Sequence, residues 1–182
     1  MCKLIYIILL CVISNPLFCQ EDVKLINSKG KDALVKEDYN QALVYFDKAI
    51  ELDSSFLDAY LGKALAQYNI GFYQESLENY NFLLSKGFNE AQCFFGLGSI
   101  YDIGFDDKSK ALQCYTKAIE ISLKNNDYEY AGTCYFARSD IKLKLGDKLG
   151  ELNDLKSGAS LNNFICKKIL ELYKQANSFG NN

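Results

Sequence analysis

Residues 106–122 read DDKSKALQCYTKAIEIS. Ala111, Tyr115 and Ala118 stand four and three residues apart, a spacing that puts three side chains on one stripe of an α-helix. The stripe recurs as Ala42, Phe46 and Ala49 in EDYNQALVYFDKAIELD from Glu37, and as Ser76, Tyr80 and Leu83 in GFYQESLENYNFLLSKG from Gly71. A fourth copy, LGDKLGELNDLKSGASL, starts at Leu145. Anchored on Ala42, Ser76, Ala111 and Glu151, the copies lie 34, 35 and 40 residues apart. Self-similarity at such a period marks a repeat array.

A further helical stretch precedes each copy. Small residues recur there at Gly30, Ala64, Gly98 and Ser139, where a neighbouring helix must approach closely. Ile26, Tyr60, Phe94 and Tyr135 stand four positions earlier, on the same face. Each repeat therefore holds two helices. Nothing reads as a strand or a domain linker, and the sole proline, Pro16, precedes the array. An all-α fold is predicted.

The period, the small residues of the first helices and the small–aromatic–small stripe of the second helices resemble the tetratricopeptide repeat. The resemblance covers about residues 23–163. It implies a right-handed superhelical solenoid of about four helix-turn-helix repeats, 23–56, 57–90, 91–127 and 128–163, within one domain over 20–182. A capping helix is expected over 163–178, with Phe164, Ile165, Ile169, Leu172, Tyr173 and Ala176 on its buried side; a partner-binding amphipathic helix is the alternative.

Several positions depart from the family pattern. Ser54 and Phe88 stand where a closing proline is usual, so the turns depend on Asp, Ser, Gly and Asn. The turn IGFDDKSK is altered, and KNNDYEY lengthens the connection from Lys124 to Tyr130. Glu151 and Gly158 occupy stripe positions, so the second helix of the fourth repeat is expected to be the least securely packed.

The residue inventory limits the chemistry. Twenty Lys+Arg face 23 Asp+Glu across 182 residues, for a net charge of −3. Arg138 is the one arginine, so no basic surface for nucleic acid is expected. Its expected role is an intramolecular or surface ion pair. With no histidine, Ser-His-Asp systems and His-ligated zinc are absent, and no enzyme activity, cofactor or metal is expected. GLGS at 96–99 lies inside a helical pattern and follows no strand, so it fails as a phosphate loop. Asp38, Asp47, Glu51, Asp53, Glu75 and Glu78 alternate with lysines at helical spacing and read as a solvated face.

Residues 1–19 have the layout of a signal peptide: Lys3, an apolar run from Leu4 to Ile13, then Ser14-Asn15-Pro16. The run is too short to span a bilayer, which needs about 20 residues. Cleavage after Cys19 is expected, leaving no integral membrane span; an uncleaved signal anchor is the alternative. Phe18 and Leu10 precede the candidate cysteines where a lipoprotein signal needs a small residue. Export to a bacterial periplasm, cell envelope or secreted space follows. Cys93, Cys114, Cys134 and Cys166 remain and admit three pairings, but their helical placement favours packing over bridging.

The family resemblance implies a concave surface lined by the first helices. The positions so implied are Asn27, Lys31, Leu61, Leu65, Tyr68, Asn69, Phe95, Ser99, Asp102, Phe136, Asp140 and Leu143. They mix apolar anchors with amides and carboxylates, chemistry suited to a protein or peptide segment. The alternative is that Leu65, Phe95 and Phe136 pack on neighbouring first helices. Chaperone-tail binding in this family uses a carboxylate clamp of Lys, Asn, Asn, Lys and Arg. Asn27, Lys31, Gly62, Gln92 and Gly96 stand there instead, so heat-shock chaperone tails are not expected. The expected function is a protein–protein interaction scaffold. Its rivals are a structural homo-oligomer and a small redox factor, which would need an accessible low-pKa thiol.

Overall fold

A computed structural model describes residues 16–179, with side chains placed from 21 to 175. Among the described residues every regular element is helical. The helices are α1 (Pro16–Val35), α2 (Tyr39–Leu52), α3 (Leu57–Asn69), α4 (Tyr73–Ser85), α5 (Glu90–Ser99), α6 (Lys108–Lys124), α7 (Tyr128–Lys144), α8 (Lys148–Ser160) and α9 (Phe164–Phe179). α1 packs on α2, α5 on α6 and α7 on α8, two hydrogen bonds join α4 to α3, and α9 packs on α8. Most of the expected signal segment, residues 1–15, lies outside the described residues.

One polar residue fastens each of several turns twice. Glu37, Asn126, Gly146 and Asn162 adopt φ of 59°, 59°, 79° and 68°, the left-handed conformation that stops a helix. The next residue's N–H then reaches back five positions: Asp38 to the Ala33 carbonyl, Asp127 to Ser122 and Asp147 to Lys142, each at 2.9 Å, and Asn163 to Gly158 at 3.0 Å. The same side chains accept from the opening turn of the following helix. Gln41 N–H donates to Asp38 at 3.1 Å, Tyr130 to Asp127 at 3.0 Å, Gly150 to Asp147 at 2.9 Å and Cys166 to Asn163 at 3.0 Å. Such N-caps stabilise a helix by about 1 kcal/mol each.

The chain divides into two compact units, with the boundary between Asn79 and Tyr80 inside α4. The core of the first unit gathers Val23, Ala33, Ala42, Phe46, Ala49, Ala59 and Ala66. Phe46 is fully buried, and its ring occupies the space left by two missing side chains. A Cβ on Gly30 would stand 2.6 Å from the ring, and one on Gly62 would be closer still. Ser76 takes a stripe position by donating its hydroxyl to the Ala64 carbonyl at 2.7 Å.

In the second unit, Ala111, Tyr115 and Ile141 form one cluster, and Ala118, Ile119 and Cys134 another. Phe95 packs against both. The stripe positions read from sequence in the second helices of the first three repeats are all buried.

The altered turn IGFDDKSK has a structural counterpart. Gln67 and Ser76 are nine residues apart in the second repeat, whereas their counterparts Tyr101 and Ala111 are ten apart in the third. A π-helical turn over Ile100–Gly104 and a left-handed Asp106 accommodate the longer path. Asp107 ends this turn by reaching back six positions rather than five, donating N–H to the Tyr101 carbonyl at 2.7 Å, and caps α6 as its counterparts do, accepting from Lys110 N–H at 3.0 Å.

α8 buries Glu151, Asp154, Leu155 and Gly158, so the expectation of loose packing there is not met. Gly158 leaves room for Cys166 of α9, whose sulfur lies 2.6 Å from where a glycine Cβ would be. The register expected for α9 also needs correction. Cys166 is fully buried, whereas Phe164, Ile165, Leu172 and Tyr173 are exposed, and the Ala176 side chain lies outside the described ones.

Candidate partner-binding site

The residues expected on the first helices divide between interior and surface. In the first unit, Lys31 reaches Asp58 at 4.0 Å, joining α1 to α3 across a solvated face. Leu61 is half-buried and Leu65 exposed beside it. Tyr68 meets the Tyr73 ring edge-on at 5.9 Å, and Asn69 donates its amide to the Leu65 carbonyl at 2.8 Å. Asn27 departs from the expectation, because its side chain is buried.

Three further residues are committed to internal packing. Phe95 stacks edge-on with Tyr115 at 5.4 Å and lies 5.8 Å from Tyr130, so it belongs to the core. Ser99 hydrogen-bonds the Phe95 carbonyl and the Tyr115 hydroxyl, both at 3.2 Å. Asp102 sits in the π turn, 7% exposed, with Lys108 at 3.0 Å and Lys144 at 2.8 Å. Burial pushes its carboxyl upward, but the bonds from Lys144 and Lys108 win and hold it below the ordinary carboxylate range.

The structure does bring Phe136, Asp140 and Leu143 of α7 together. Their spacing of four and three puts them on one stripe, and they line a cavity of about 480 Å³. Leu155 of α8 and Ile169, Leu172 and Tyr173 of α9 complete its apolar wall, while Ser139, Asp140 and Glu151 supply polar atoms. Tyr173 donates its hydroxyl to Glu151 at 2.6 Å, tying α9 to α8 across the cavity.

Behind this wall Arg138 fixes three helices. Its guanidinium donates to both Asp154 oxygens, at 2.9 and 2.8 Å, and to the Thr116 hydroxyl of α6 at 2.9 Å. Lys142 adds a second cation to Asp154 at 2.9 Å. Arg138 thus makes the intramolecular pair expected of it. Glu151 and Asp154 escaped the sequence reading as polar partners, and the one available signal was their place on a helix face that otherwise carries small and apolar residues.

The thiols are poorly suited to redox chemistry. Burial pushes Cys93 and Cys134 up to about 12, and Cys114 and Cys166 up to about 11, so all four oppose the low-pKa thiolate such chemistry requires. All four are free, and Cys93, Cys134 and Cys166 are buried as packing residues. Among the described residues no cluster of three side chains could hold a metal ion, and no helix is long and apolar enough to cross a membrane.

Comparison with known proteins supports the repeat assignment. Residues 91–125 match the family model for the tetratricopeptide repeat. The chain is 27% identical over 99 residues to tetratricopeptide repeat protein 12 of Mus musculus, covering 54% of this chain and 14% of that protein. It is 46% identical over 50 residues to an uncharacterised protein of Methanocaldococcus jannaschii, covering 28% of this chain and 58% of that one. The chain therefore spans less than two thirds of the length of either relative.

Solved structures agree in fold. A thermophilic tetratricopeptide protein of Thermus thermophilus superposes with a TM-score of 0.65 at 18% identity, over 76% of this chain and 74% of that chain. MamA from residue 41 onward, of Desulfovibrio magneticus RS-1, gives 0.64 at 18% identity, over 77% and 75%. At this identity the likeness establishes an all-helical tetratricopeptide-type fold. Proteins built from this repeat are typically interaction modules rather than enzymes.

Proposed function

We propose that this protein is an exported adaptor that captures a peptide or protein segment on the exposed side of its first helices, with no chemical step of its own. The observation that carries the reading is the cavity beside α7, where Phe136 and Leu143 meet the apolar side chains of α9. An apolar concavity with a few polar groups is the usual form of a recognition site. Each large side chain buried there would contribute roughly 1.5–3 kcal/mol before ordering costs. Leu65 offers a comparable anchor in the first unit. The apolar run after Lys3 supports export to a bacterial envelope or secreted space.

The reading is tested by immobilising the full chain and passing envelope extract over it, beside Leu65→Asp and Leu143→Asp variants. Bands held by the native chain and lost with either variant, at unchanged helical circular dichroism, support capture at these surfaces. Equal capture by all three overturns it. Fusion of residues 1–20 to alkaline phosphatase tests export separately, and a fusion inactive in intact cells overturns it.

A second reading rests on α9, whose Phe164 is 74% exposed and Ile165 48%. Such a face suits association of two copies. Sedimentation over a concentration series would then show a dimer that Phe164→Glu dissolves.

A further inference from the structure

The cavity beside α7 has an uneven charge balance. Two acids, Asp140 and Glu151, lie in its wall, and none of its nine lining residues is a lysine or arginine. Glu151 is 5% exposed, and among the described residues no cation lies within ion-pair reach of it. Its partner is the neutral Tyr173 hydroxyl. Asp154, three residues along the same helix, is equally buried and holds both Arg138 and Lys142. The chain neutralises the acid that faces inward and leaves the acid that faces the cavity with a neutral donor.

Asp140 sharpens the imbalance. It stands at the rim, half exposed, and its cation is Lys144 at 2.8 Å. Lys144 also serves Asp102 at 2.8 Å, itself paired with Lys108 at 3.0 Å, so Asp140 shares its one cation with a second carboxylate. A carboxylate held away from water without a cation is costly, and an incoming cation recovers that cost. An incoming carboxylate would be repelled by both acids.

We infer that the occupant of this cavity is a basic amphipathic segment, one that seats a large apolar side chain against Phe136 and Leu143 and sets a lysine or arginine beside Glu151 and Asp140. The inference rests on the capture reading of the same surface. It adds the partner's chemistry, and with it a discrimination against acidic segments.

A display library of random 12-residue peptides, selected on the full chain and then measured by fluorescence anisotropy, provides the test. Enriched peptides should carry an apolar residue with a nearby lysine or arginine. Glu151→Gln should weaken them by about tenfold or more, while a Lys→Gln version of the same peptide should bind both proteins alike. Asp140→Asn, at the exposed rim, gives a smaller loss in the same direction and serves if Glu151→Gln perturbs folding.

Enrichment of acidic or uncharged peptides whose binding falls with Leu143→Asp but ignores Glu151→Gln overturns the inference and leaves capture standing. Basic peptides that ignore both acid variants also overturn it. No enrichment on the native chain overturns capture itself, and the inference with it.

Discussion

The two units solve the same packing problem with different chemistry. Among the described residues the first unit buries Asn27, Gln67 and Ser76 but no charge, and its helices close by fitting Phe46 into the gaps at Gly30 and Gly62. The second unit buries three carboxylates, Asp102, Glu151 and Asp154, and its last repeat is fastened by Arg138 and Lys142. A helical hairpin therefore fixes the backbone but not the means of holding it. Interdigitation tolerates little change of volume, whereas a buried ionic clasp tolerates little change of charge.

The largest effect should come from Phe46→Ala, which empties the space between α1, α2 and α3. A loss of about 3–5 kcal/mol is expected, read as lost amide protection in these helices by hydrogen exchange. A loss below about 2 kcal/mol would mean that the first unit does not depend on this ring.

Asp154→Asn should cost nearly as much, about 3–5 kcal/mol, because it strands a guanidinium among α6, α7 and α8. Replacing the whole group, as Asp154→Leu with Arg138→Met and Lys142→Met, should recover most of that loss in urea unfolding. If the triple variant were as weak as the single one, the clasp would contribute more than the avoidance of an unpaired charge.

Removing a cap should erase the contrast between the units. Asp38→Ala and Asp147→Ala are each expected to cost about 1 kcal/mol, since both side chains make the same bond to a helix start. Unequal losses in denaturant titrations would show that the turns also differ in kind.

The smallest effect concerns acid. The folded pKa of Asp102 is depressed, so its contribution is fully present above its unfolded value of about 3.9 and is lost as pH falls through the folded value. Protection in the second unit should therefore decline below about pH 4, and Asp102→Asn should remove part of that decline. The same pH dependence in native and variant proteins would separate Asp102 from acid sensitivity.

The sequence made the apolar part of this molecule legible and the ionic part largely opaque. The stripes at Ala42, Phe46 and Ala49 and at Ala111, Tyr115 and Ala118 were readable because burial in a helix repeats with its period. Ion pairs between helices obey no such period. Arg138 and Asp154 are 16 residues apart, and Lys144 and Asp102 are 42 apart, so only folding identifies the partners. The candidate site was partly legible for a related reason. A first helix touches neighbours on more than one side, so Phe95, at a surface position by its own helix's pattern, is claimed by Tyr115 and Tyr130. Asp102 was misplaced because a π turn changes the direction of residues within it. In α9 the inward face was misread: Cys166 rather than Phe164 faces inward, where Gly158 leaves room for its sulfur.

The doubly fastened bends have a kinetic consequence. Between Ala33 and Gln41, or between Lys142 and Gly150, every bond that sets the reversal of direction is made within a few neighbouring residues. Low contact order of this sort favours fast folding, and a nascent chain leaving the ribosome can form each hairpin before the next has been synthesised.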